Sequence, residues 1–230
     1  MNIEDLSPSQ LAPYIQHTKI QSNANRSEMI IHIEQAGKYG FNAAMIPGSW
    51  VPLAVEILRG TTIKVASALD FPTVGVMTSA GKAAEAAELV RLGAEEIDIG
   101  VQIGWLKSGM FKEFRDDIAG VVKASGVPIK VMLELPLLTP NERDRAVELS
   151  IDAGAAYLKN ASSGQIETAS PENVRYLAER VKNGVKVKAS GSIKTFAQVK
   201  ELISAGATLV GTSAGIEIIS DSSNESTKSY

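Results

Sequence analysis

One junction recurs along this chain and limits what it can fold into. An amphipathic stretch ends at a glycine, and within a few residues a short run of apolar, β-prone residues begins. The glycines are Gly40, Gly60, Gly93, Gly126, Gly154, Gly184 and Gly206, followed by runs at 43–46, 63–68, 96–99, 129–135, 156–159, 185–189 and 208–211. A left-handed glycine is the commonest helix stop, so each junction reads as a helix end and a strand start. Four junctions are alike: Tyr39-Gly40-Phe41, Leu92-Gly93-Ala94, Ala153-Gly154-Ala155 and Ala205-Gly206-Ala207. That is weak internal repetition of one helix–strand unit.

Residues 14–18, ahead of an amphipathic stretch at 26–39, supply an eighth strand. Helices are predicted over 50–58, 78–92, 112–124, 140–153, 171–182 and 195–205, with Pro140 and Pro171 where proline suits a first turn. Strict alternation of helices with strands covered on both faces implies a parallel sheet. Eight such units in 230 residues point to an α/β fold, a single (β/α)8 TIM barrel over residues 1–219. It opens on a short N-terminal segment in which Ser7-Pro8-Ser9 reads as a helix start. The competing architecture is an open doubly wound sheet. No Gly-x-Gly-x-x-Gly follows the first strand, which counts against dinucleotide binding. Residues 220–230, rich in serine with scattered charge, are expected to form a flexible tail.

Composition removes several chemistries. The chain has no cysteine, so disulfides, thiolate nucleophiles and cysteine-ligated metals are excluded, and two histidines, His17 and His32, make a histidine-rich metal site improbable. A net charge of −3 argues against a nucleic-acid surface or a basic membrane patch. No apolar run is long enough to span a membrane, and Glu4 and Asp5 do not suit a signal peptide. A cytoplasmic location is the default expectation.

In a barrel of this kind the active site lies where strands end and βα loops begin. The polar residues there are Asp98, Glu134, Lys159 and Lys188, with Ser213 after the last strand. Each has a plainer reading. An isolated lysine is usually a solvated surface group, and Lys186 and Lys188 alternate with valine as on a strand with one wet face. Asp98 could be a cap or a core ion pair, and Glu134 a charge partner for neighbouring lysines. Set on one barrel rim, the residues gain a shared chemistry. A second cation and desolvation both lower a lysine pKa, and a neutral lysine attacks a carbonyl to form a Schiff base. A nearby carboxylate such as Asp98 can relay the protons. That is the logic of a class I aldolase, with Lys159 as nucleophile and no cofactor. The small-residue loops Ala189-Ser190-Gly191-Ser192 and Gly211-Thr212-Ser213-Ala214-Gly215 follow the last two strands. They read as a phosphate cradle or as two tight turns.

At these residues the sequence resembles the deoxyribose-phosphate aldolases. The resemblance runs from His17-Thr18 to about Gly215. Its strongest pieces are Gly93 to Asp98, Ile129 to Leu135, Leu137-Leu138-Thr139, Val187 to Gly191, and Gly206-Ala207-Thr208 with Gly211 to Gly215. It implies a (β/α)8 class I aldolase that reversibly cleaves 2-deoxyribose 5-phosphate to acetaldehyde and glyceraldehyde 3-phosphate. By position, Lys159 would form the Schiff base, Lys188 would be the second lysine that lowers its pKa, and Asp98 would relay protons. Gly191, Ser192, Gly211 and Ser213 would hold the phosphate, with Ser162 and Ser163 beside them in the substrate site. The resemblance implies no cofactor beyond the covalent imine on Lys159. Its partners would be a small phosphorylated sugar and a small aldehyde, with no nucleic acid or membrane, in a homodimer or homotetramer. Some family members place a terminal tyrosine near the site, and this chain ends in Tyr230.

The sequence departs from the family pattern at four places. Gln16 stands for the aspartate of Asp-His-Thr, and Ala44-Met45-Ile46 for Val-Cys-Val. Lys159-Asn160-Ala161-Ser162-Ser163 replaces Lys-Thr-Ser-Thr-Gly, and Ser192 replaces the second glycine of a pair. A diverged aldolase for another aldehyde pair, or a phosphosugar-binding barrel without turnover, therefore stays open at this level.

Overall fold

A computed structural model describes residues 6–220. Its strands are β1 (Ile15–Thr18), β2 (Ala43–Ile46), β3 (Lys64–Leu69), β4 (Glu96–Gly100), β5 (Ile129–Met132), β6 (Tyr157–Lys159), β7 (Lys186–Ser190) and β8 (Leu209–Thr212). Each pairs in parallel with its chain neighbours, and β8 pairs with β1, so the sheet closes into a barrel. The open doubly wound alternative is thereby removed. All seven junction glycines have φ between 67° and 115°. Gly40, Gly93, Gly126, Gly154 and Gly206 stand at helix ends, the left-handed stop expected of them, whereas Gly60 and Gly184 lie three and six residues beyond the last helical residue.

The helices are α1 (Arg26–Tyr39), α2 (Val51–Ile57), α3 (Ser79–Leu92), α4 (Ile103–Lys107), α5 (Phe111–Ser125), α6 (Pro140–Asp152), α7 (Pro171–Ala178), α8 (Phe196–Ser204) and α9 (Gly215–Ile219). Their starts are written in side chains. Asn25 with Glu28, Thr139 with Glu142 and Thr195 with Gln198 form reciprocal capping boxes. The N-terminal segment is a 3-10 helix, Pro8–Tyr14, capped at Ser7. Three expectations need correction. The helix predicted to reach 182 stops at Ala178, and α4 and α9 had no periodic signal because each spans barely one turn. The strand predicted to reach 135 ends at Met132. Glu134 turns left-handed there, at φ 51°, into a 3-10 turn at Leu135–Leu137.

Two packing environments follow from the two-residue period of the strands. Val65, Ile97, Ile99, Val131, Leu158, Val187 and Val210 belong to the large apolar core shared with the helices. Ala43, Met45 and Ala66 form a separate small cluster on the barrel's inner side. Much of the remaining inner side is polar: Gln16, Glu96, Asp98, Lys130 and Lys188 are all 1% exposed or less. The valines beside Lys188 thus face helices, and its amine faces the barrel axis rather than water.

One buried device fixes the β3–α3 connection. The Asp70 carboxylate accepts backbone N–H bonds from Gly75, Val76 and Met77 at 2.9–3.2 Å. Lys82, fully buried, sits 3.2 Å from Asp70 and 2.7 Å from Asp117, and donates to the Gly100 carbonyl at 2.9 Å. This clamp holds the segment that carries Phe71 toward the C-terminal end of the barrel.

Candidate active site

Lys159 is the last residue of β6, and the parallel register sets it level with Lys188 on β7. Two strands away, Asp98 lies in the middle of β4, paired with Lys130 on β5. The Lys159 Nζ donates to Asp98 Oδ2 at 2.9 Å, and the Lys188 Nζ donates to the same oxygen at 2.7 Å. Lys130 Nζ lies 3.5 Å from Asp98 Oδ1 and 2.7 Å from Glu96 Oε2. Three amines therefore crowd one buried carboxylate.

The electrostatics follow from that count. Burial alone would raise the Asp98 pKa, but Lys188, Lys159 and Lys130 outweigh it and hold the carboxyl well below its usual range. Desolvation pulls Lys188 down to about 7; Asp98 opposes the fall, while Lys159 and Lys130 add to it. At neutral pH the Lys188 amine can therefore both give and take a proton.

These groups open onto a cavity of about 200 Å³ lined by Asp98, Lys159 and Lys188. Ser162, Ser163, Gly191, Ser192, Gly211 and Ser213 line the same cavity. Of the two amines, Lys159 is the more accessible, with 8% of its side chain exposed against 1% for Lys188. Gly191 needs its missing side chain: a Cβ there would lie 2.0 Å from the Glu167 carbonyl oxygen. Its neighbour Ser192 adopts φ 51°, a conformation that favours glycine. Tyr230 lies outside the described residues.

Glu134 does not join the cluster. Its carboxylate accepts the Ser162 N–H at 2.9 Å, so it braces the loop after Lys159 instead of pairing with a lysine. The left-handed turn after β5 takes it off the strand, which is why the charge-partner reading fails. Asn160 is also a brace. Its amide donates to the Ser190 carbonyl and accepts the Ser190 N–H, both at 2.9 Å, tying the β6 loop to β7. It is fully buried and absent from the cavity wall, so this departure from the family pattern lies behind the cavity.

Sequence reasoning missed several participants. Lys130 sits mid-strand between isoleucine and valine, a pattern identical to that of a solvated strand face. Gln16 was visible as a departure, but not as a hydrogen-bond partner of Lys188, 2.6 Å away. Phe71 and Lys194 also line the cavity; both come from irregular segments, where periodicity gives no direction. Among the described residues, no group of three or more His, Asp or Glu side chains is placed to hold a metal ion.

Comparison with known proteins agrees with this geometry. No family model matches the chain. The deoxyribose-phosphate aldolase of a Cyanothece species is 40% identical over 209 residues, 91% of each chain. That of Methanothermobacter thermautotrophicus is 40% identical over 220 residues, 95% of this chain and 97% of the relative. Among solved structures, the tetrameric deoxyribose phosphate aldolase of Aeropyrum pernix superposes with a TM-score of 0.85 at 27% identity, covering 95% of this chain and 93% of its own. With near-full-length relatives at this identity, the chain belongs to the deoxyribose-phosphate aldolase family.

Proposed function

We propose that this protein is a class I aldolase that cleaves 2-deoxyribose 5-phosphate reversibly to acetaldehyde and glyceraldehyde 3-phosphate. The observation that carries the reading is the sharing of Asp98 Oδ2 by Lys159 and Lys188 at the wall of the cavity. Lys159, the more exposed amine, attacks the C1 carbonyl of the open-chain sugar, and loss of water leaves an iminium. The C3 hydroxyl then gives up its proton, and the C2–C3 bond breaks toward the iminium. Glyceraldehyde 3-phosphate leaves, and an enamine remains on Lys159. Protonation at C2 and hydrolysis release acetaldehyde and restore the amine. The protons move through Lys188 and Asp98, directly or by way of water, a role suited to an amine with a pKa near 7.

Gly191, Ser192, Gly211 and Ser213 take the phosphate in this reading, with Ser162 and Ser163 along the sugar and Lys194 adding a cation at the cavity wall. Residues 1–219 act as one catalytic unit, and the protein works in the cytoplasm as a homodimer or homotetramer, needing no cofactor. Among the described residues no helix is long and apolar enough to cross a membrane.

The test is an aldol-cleavage assay on 2-deoxyribose 5-phosphate against other phosphorylated sugars, with wild type and Lys159→Ala. Turnover fastest on the deoxy sugar and abolished in the variant is the expected result. Faster turnover of another phosphosugar would reassign the substrate.

A further inference from the structure

Inside the barrel, below the amines that line the cavity, lies a fully buried glutamine that the proposed chemistry does not use. Gln16 on β1 donates through Nε2 to Glu96 Oε2 at 2.7 Å and to Asn42 Oδ1 at 3.2 Å. Its Oε1 accepts from Lys188 Nζ at 2.6 Å. These partners fix which way the amide points. Rotated by half a turn, it would set its NH2 against an ammonium and its carbonyl against a carboxylate, losing both bonds.

Lys188 starts on β7 and must cross β8 to reach β1, and Gly211 is where it crosses. A Cβ at Gly211 would lie 3.1 Å from Lys188 Cε and 3.7 Å from its Nζ. In register, Gly211 pairs with Ser190 on one side and Gln16 on the other. The glycine thus opens the lane between the amine and the amide.

We propose that Gln16 is a positioning residue for the reaction: oriented by Glu96 and Asn42, it holds Lys188 against Asp98 with an uncharged acceptor, leaving the buried amines one carboxylate short. The charged and polar groups facing Lys188 are Asp98 from β4, Lys130 from β5, Lys159 from β6 and Gln16 from β1, while on β8 Gly211 lies beside its amine. Three buried lysines, Lys130, Lys159 and Lys188, therefore share two buried carboxylates, Glu96 and Asp98, and the half-exposed Lys64 also draws on Glu96. A glutamine binds the ammonium and the free amine of Lys188 with far less bias than a carboxylate would. Lys188 can then change its protonation without leaving its place beside Asp98. The inference rests on the role given to Lys188 in the proposed aldolase reaction.

Lysine 13Cε NMR of the full-length protein reads this ionisation directly, with the Lys188 signal identified by its loss in Lys188→Met. Gln16→Glu supplies the missing carboxylate and is expected to raise the Lys188 midpoint by at least about one pH unit. Gln16→Met removes the acceptor and is expected to lower it, so the claim stays testable if the glutamate variant does not fold. Because Gln16 is not on the cavity wall, the neutral inflection of the kcat profile should move with the midpoint while KM for the phosphosugar holds. A midpoint that stays at the wild-type value in either folded variant overturns the proposal. Cleavage of 2-deoxyribose 5-phosphate by wild type is measured separately. If wild type cleaves the sugar and the midpoint does not move, this inference alone falls; if the midpoint moves and no cleavage occurs, the aldolase reading falls.

Discussion

Lys188 is a buried residue whose ionic state should affect both stability and turnover. Its folded pKa, about 7, lies below the ordinary lysine value of roughly 10.4. The folded state then holds fewer protons than the unfolded chain between those two values, so stability rises with pH across that window. Below it, the buried charge is carried in full. Relative to Lys188→Met, the wild type should therefore gain stability between about pH 7 and pH 10, as urea midpoints at pH 6.5 and 9.5 can show. The same variant should lose roughly 10²-fold or more in kcat if Lys188 moves protons in the reaction. Lys159, Lys188 and Asp98 were legible in the sequence because each reads as a polar residue near a strand end, on the rim of a barrel. Lys130 was not, since a mid-strand lysine flanked by β-branched residues also describes a wet sheet face. Only closure of the barrel around a polar axis separates the two.

At the scale of elements, the helix ends were legible and the strand ends less so. Five glycines, Gly40, Gly93, Gly126, Gly154 and Gly206, stop helices where left-handed backbone demands it, whereas β5 and its run to Leu135 differ by a turn that no residue type announces. The connections that position the site are held by buried side chains from distant elements: Glu134 and Asn160 on the loop after β6, and Asp70, Lys82 and Asp117 beneath the segment after β3. Lys82→Met would leave two buried carboxylates without their cation. Removing one partner of a buried ion group typically costs about 3–5 kcal/mol, and a loss of that size is expected from denaturant titration of this variant. Release of the Phe71 segment should also raise KM, because Phe71 lines the cavity.

The molecule as a whole is two cores with different tasks. The apolar shell between strands and helices stabilises the barrel, and the polar axis inside it gathers three amines around Asp98. The shell could be read from periodicity alone; the axis could not, because inward and outward strand residues are told apart only once the sheet closes. Assembly is a further property of the whole. A dimer or tetramer is expected, and light scattering coupled to size exclusion would return twice or four times the monomer mass. The central claim, however, is that Lys159 carries the substrate, and borohydride reduction during turnover tests it most directly. Peptide mapping after reduction with 2-deoxyribose 5-phosphate should find a substrate-dependent adduct on Lys159, absent in Lys159→Ala. An adduct on Lys188 instead, or none with any aldehyde, would contradict the account.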